Sequence, residues 1–156
     1  MIGVFLYSKT INRYLMALPP QKFREIVFQI LFSRDFQMGE DREIIAFLME
    51  ELKVTKRTMI EAEARANLVL GKQSELDEKI SLASTEYTFD RISRVEKSIL
   101  RLGAFELAED PSIPPKVAIA EAIRLCRKFG SPESAHFVNA LLDSLYHAAI
   151  PAGALA

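Results

Sequence analysis

Cysteine is almost absent. Cys126 is the single one in 156 residues, so no internal disulfide and no cysteine-rich zinc site can form, which suits a reducing cytoplasm. Glycine and proline are sparse, at 6 and 7, and long flexible linkers are excluded with them. No stretch reaches the roughly 18 uncharged apolar residues of a membrane span, because Lys9, Arg13, Lys22 and Arg24 interrupt the apolar N-terminal stretch. The opening MIGVFLYS lacks the basic segment that precedes the apolar core of a secretory signal. Residues 1–18 therefore read as an extension of a soluble protein. Met16 opens MALPPQKFRE, which makes a second plausible chain start, so Met1 to Leu15 are either an added arm or lie ahead of the native start. There is no excess of either charge: 20 Lys and Arg against 21 Asp and Glu leave a net charge of −1. That excludes a general attraction to nucleic acid or anionic membrane, and any RNA binding must come from a local patch. Strict apolar and polar alternation is missing as well, so there is no β signature.

What is present is an ordinary globular balance, 49% hydrophobic and 26% charged, too apolar for a disordered chain. Apolar residues recur at spacings of three and four, and the chain reads as all-helical, with six or seven helices. Pro19 and Pro20 open the first, which runs to about Phe36 and carries Phe23, Ile26, Val27, Ile30 and Leu31. Phe28, Phe32 and Phe36 widen that stripe beyond one packed face, leaving rings for another protein. Gly39 breaks this helix, and Asp41 caps a second with Ile44, Ile45, Phe47, Leu48 and Leu52. Thr55 caps a third, through Met59, Ile60, Ala62, Ala66, Leu68 and Leu70, closed by a left-handed Gly71. Ser74 with Asp77 restarts a helix carrying Leu76, Ile80 and Leu82.

After a loop, STEYTFDR, the Ser93 and Glu96 pair makes a capping box ahead of Val95, Ile99, Leu100, Leu102, Phe105 and Leu107. Pro115 opens the next helix and Gly130 closes it; Ser131 and Pro132 start the last, with Phe137, Val138, Leu141, Leu142 and Leu145 facing inward. Two packed three-helix bundles are the expected architecture, halves of one domain over 19–150 divided at about 19–86 and 87–150, with 151–156 a frayed tail.

Catalytic signatures are missing. There is no G-x-S-x-G, no Walker loop, no G-x-G-x-x-G and no H-E-x-x-H. His136 and His147 are too far apart for a same-face metal pair, and Cys126 sits in an amphipathic helix as an inert apolar residue. No enzyme activity, metal or cofactor is expected. The segment from Gly39 to Glu63 holds seven acidic and four basic residues and should repel phosphate. Met1 to Phe36 holds five basic residues, Lys9, Arg13, Lys22, Arg24 and Arg34, against Glu25 and Asp35.

The runs RVEKSILRLGAFEL (94–107), IPPKVAIAEAIRLCRKFG (113–130) and SAHFVNALLD (134–143) resemble the N-utilisation substance protein B family, NusB, in order and spacing. FREIVFQILF at 23–32 and the aromatic ahead of Asp90 and Arg91 extend the likeness. The resemblance implies an all-helical transcription antitermination factor. Such a factor binds the single-stranded boxA element of ribosomal RNA transcripts with NusE, which is ribosomal protein S ten, and joins other Nus factors on elongating RNA polymerase. It implies an RNA site made by Gln21, Lys22 and Arg24 beside Glu133, His136 and Phe137, where the start of the first helix meets the start of the last. Phosphate contacts suit a helix N-terminus, and Phe137 would stack a base with His136 as a donor; on spacing alone Phe137 also reads as core. The likeness further implies a protein partner surface with Phe32 and Phe36 as apolar anchors and Glu96 and Arg101 as polar contacts. Some family members self-associate, so a homodimer stays open. One departure stands out: where the family carries a run of arginines this chain has LPPQKFRE, leaving Lys22 and Arg24. An adaptor with weak or absent RNA binding is the competing reading. NusB-like domains also occur in RNA cytosine methyltransferases, but this chain holds no long α/β segment for such a catalytic domain.

Overall fold

A computed structural model describes residues 18–36 and 41–149, and the regular elements among them are all helical. Pro19 is extended and Pro20 opens α1 (Pro20–Asp35), where the missing N–H would be unpaired anyway. Its Phe28, Phe32 and Phe36 form a ladder with ring centroids 5.9 and 5.0 Å apart, grading from buried Phe28 to Phe36 at 46% exposure. The widened stripe thus runs from core to surface. Next comes α2 (Asp41–Leu52), which buries Leu48 but leaves Phe47 exposed, so Phe47 does not share the inward face expected of it. Gly39 and the Asp41 side chain lie outside the described residues. Lys53, at φ 51°, follows the end of α2.

In α3 (Lys56–Gly71) the Thr55 hydroxyl accepts from the Thr58 N–H at 3.2 Å, the cap its sequence predicts. Met59, Ala62, Ala66 and Val69 face inward, whereas Ile60 and Leu68 are exposed. Small Ala62 and Ala66 set the buried face, and that turns the bulkier Ile60 and Leu68 outward. Gly71 does not close the helix in a left-handed conformation: it is the last helical residue, and Lys72 alone (φ −106°, ψ 8°) joins α3 to α4 (Gln73–Ala83). Ser74 accordingly lies inside α4 and caps nothing. Leu76 and Ile80 are buried, while Leu82 is 80% exposed. A 3-10 turn at Phe89–Arg91 leads to α5 (Arg94–Glu109), whose capping box is complete: Ser93 accepts from the Glu96 N–H and Glu96 from the Ser93 N–H.

Pro114 and Pro115 open α6 (Pro115–Phe129), and Gly130 closes it with an N–H bond to the Cys126 carbonyl. Ser131 accepts from the Ser134 N–H at 3.1 Å to start α7 (Pro132–Ala149). Gly103 of α5 faces Leu142 of α7 and Ala122 of α6, a contact that a side chain there would crowd.

The helices pack as two groups, α1 to α3 and α4 to α7, joined where α1 lies on α5. Among the described residues, three helices therefore face four. The division falls at Lys72 and not near residue 86, because Leu76 and Ile80 bury α4 against the second group. A continuous cluster of buried apolar residues runs through both.

Candidate RNA and partner interfaces

At the start of α7, a groove of about 550 Å³ is lined by Glu86, Tyr87, Arg91, Ser93, Glu96, Glu133, His136 and Phe137. Glu96 ties its floor together. One carboxylate oxygen caps α5, and the other accepts from the Ser134 hydroxyl of α7 at 2.7 Å. Phe137 is 8% exposed and meets Tyr87 edge-on, the rings 5.2 Å apart at 75°. One ring thus serves two environments: most of Phe137 packs in the interior, and an edge reaches the groove. Tyr87, His136, Glu133 and Arg91 are exposed around it.

The start of α1 lies elsewhere. The Gln21 amide donates to Glu121 of α6 at 3.3 Å, and Arg124 donates to the Gln21 carbonyl at 3.1 Å. One turn on, Glu25 accepts from Arg124 at 2.7 Å and from Lys128 at 2.9 Å, and Phe28 meets Phe129 at 4.8 Å. These rungs set α1 parallel to α6, so the start of α7 falls level with Phe28, about 10 Å of helix beyond Gln21. The structure therefore groups Glu133, His136 and Phe137 in one place and Gln21 and Lys22 in another.

Lys22 is exposed and pairs with Glu25 at 3.6 Å. Arg24 points inward: its Nε donates to both Glu106 oxygens, at 2.9 and 3.2 Å, and its side chain is buried. Burial pushes the Glu106 carboxyl above its ordinary value even against Arg24. For Glu25 burial also acts upward, but the hydrogen bonds from Lys128 and Arg124 outweigh it and hold the carboxyl below the ordinary value.

Of the residues expected at the protein interface, Phe36 lies on the surface with the Arg94 guanidinium 4.5 Å above its ring. Phe32 lines an apolar groove of about 480 Å³ with Ile44, Phe47 and Leu48. Arg101 turns inward instead, donating to both Asp77 oxygens at 2.7 and 2.9 Å and to Asp35 at 3.5 Å. Burial alone would lower its pKa, but these carboxylates raise it further. Glu96 is likewise engaged, at the two helix starts. Tyr87 and Arg91 escaped the sequence reading as groove residues, although the aromatic ahead of Asp90 and Arg91 was visible. Arg124 and Lys128 escaped it too, and their i, i+4 spacing on α6 was the available signal.

Residues 21–147 match the family model described as "NusB family". The chain belongs to the NusB family. It is 35% identical to a transcription antitermination protein NusB of Chlamydia pneumoniae over 82% of this chain and 80% of that one. With the protein of that name from Oceanobacillus iheyensis the identity is 38%, over 80% of this chain and 95% of the relative. Among solved structures, NusB of T. maritima superposes with a TM-score of 0.72 at 28% identity, covering 83% of this chain and 92% of that one. A chain from a crystal structure of the antitermination factors NusB and NusE in complex with dsRNA gives 0.70 at 25% identity, covering 82% and 96%. The family match begins at the second residue of α1 and ends two residues short of the end of α7. No helix among the described residues is long and apolar enough to cross a membrane.

Proposed function

We propose that this protein is a transcription antitermination factor of the cytoplasm. In this reading it binds single-stranded boxA-type RNA of ribosomal RNA transcripts together with NusE, ribosomal protein S ten, on elongating RNA polymerase with the other Nus factors. The observation that carries the reading is the groove at the start of α7, where two aromatic rings, a histidine and an arginine converge. Sequence-specific recognition of RNA targets unpaired bases, which stack on aromatic side chains while cations meet the phosphates. Tyr87 and the accessible edge of Phe137 receive a base, His136 donates to it, and Glu133 accepts from it. Gln21 and Lys22 contact the backbone at the start of α1, and Arg24 supports them from within by anchoring α1 to Glu106. Phe32 and Phe36 are the apolar anchors for NusE; Arg101 holds α1, which presents them, through Asp35, and Glu96 holds the starts of α5 and α7.

Titrating a boxA-type RNA with the protein, with NusE and with both tests this. The pair should bind more tightly than either alone, salt should weaken it, and Tyr87→Ala and His136→Ala should lower affinity. Absence of any boxA preference with NusE present would remove the RNA half of the reading. The second reading, a protein adaptor, draws on Arg24 and Arg101, both spent inside the fold. Lys22→Glu separates the two: an RNA-binding factor loses RNA affinity, while a pure adaptor binds NusE unchanged and has no RNA affinity to lose.

A further inference from the structure

The α7 groove is poorly suited to phosphate, because Glu86, Glu96 and Glu133 line it against a single Arg91. It accommodates a base and leaves the charged backbone to be met elsewhere. Across the gap between that groove and the start of α1 runs α6, and its outward side is cationic. Lys116 and Arg127 project on nearly the same side, since a spacing of eleven residues returns to within about 20° on a helix, while Arg124 lies about 60° round from Arg127 and Lys128 about 40° further, toward α1. Lys22 of α1 joins this strip through Glu25, the buried carboxylate that Lys22, Arg124 and Lys128 share. Glu121, held by Arg124 and Gln21, is the other acid there. Five cations thus face two carboxylates, in a chain whose net charge is −1. Among the described residues, Lys116 and Arg127 have no ion-pair partner and are exposed.

Resting on the RNA-binding reading above, we infer that the outward face of α6, with Lys22, is the phosphate track of the RNA site. It carries the single strand from the start of α1 to the base-binding groove at the start of α7. From Lys116 to Phe129 the track is about 20 Å long, and its last stretch of about 12 Å, from Glu121 on, spans the gap between the start of α1 and the groove, a few nucleotides of strand. It supplies in the middle of the site the positive charge that LPPQKFRE, with Lys22 and Arg24 in place of a run of arginines, does not concentrate at the start of α1, and it joins two sets of residues that do not touch one another.

Lys116→Gln and Arg127→Gln test the track without disturbing an ion pair. With NusE present, binding of a single-stranded boxA-type RNA is measured over a range of salt concentrations. Each substitution should lower affinity about fivefold at about 0.1 M salt and reduce the slope of log affinity against log salt by about 0.7, as expected for one phosphate contact on a single strand. His136→Ala should lower affinity while leaving that slope unchanged. If both glutamine variants keep the wild-type affinity and slope while His136→Ala weakens binding, the track is overturned and the RNA-binding function stands. If the wild-type protein with NusE binds no RNA even at low salt, both fall.

Discussion

Three side chains show how burial and the partners it brings decide chemistry that composition leaves open. Cys126 is fully enclosed in α6, and burial, followed by the nearby Glu96 charge, pushes its thiol up to about 12. It should resist iodoacetamide in the native protein at neutral or mildly alkaline pH and react once denatured, because the thiolate is the nucleophile; rapid native labelling would contradict the packing. Glu25 carries a pH signature. Its folded pKa lies below the ordinary 4.5, so the stabilisation is fully present above the unfolded value and is lost as pH falls through the folded one. Glu106 has the opposite sign: its folded pKa is raised, and its contribution declines as pH rises through that value. In urea unfolding across pH, Glu25→Gln should flatten the acid arm and Glu106→Gln the decline on the neutral side.

Helix boundaries were legible wherever a side chain acts on its own backbone. Thr55, Ser93 with Glu96, and Ser131 each cap the helix that follows them, because capping joins residues three apart and needs nothing from the rest of the molecule. Ser93→Ala should cost about 1 kcal/mol. Glu96→Ala should cost more than Ser93→Ala, since it also releases Ser134 and the start of α7; equal losses by chemical denaturation would argue that the Glu96 to Ser134 bond contributes nothing. Gly71 and Ser74 misled for a related reason. Lys72 alone separates α3 from α4, so no left-handed turn intervenes and no cap is required. Periodicity also overreached at Phe47, Ile60, Leu68 and Leu82, apolar residues that the neighbouring helices leave uncovered.

Across the whole molecule, the joint between the two helix groups contains the Arg24 to Glu106 pair. Arg24→Met alone should destabilise by about 3 kcal/mol by leaving an uncompensated buried carboxylate. Combined with Glu106→Leu it should recover most of that loss, because well-packed apolar residues replace buried ion pairs at little cost. Urea denaturation of the two variants gives both numbers, and a double variant no better than the single would indicate that the charges carry more than their own pairing. Either way the groups should unfold together, since the apolar core runs through both.

Spacing, caps and prolines were enough to specify an all-helical chain, most of its helix limits and, through three blocks of residues, its family. Those signals are local, reaching no further than one or two helical turns. Which cations stay outside was beyond them. Arg24 meets Glu106 across 82 positions, Lys128 meets Glu25 across 103, and Arg101 meets Asp77 across 24. Helical periodicity assigns a charged residue to a face, but the carboxylate waiting on the opposing helix determines whether that charge is spent within the fold or offered to a partner. For that reason the two halves of the expected RNA site came apart at the scale of the tertiary fold, and α6 emerged between them.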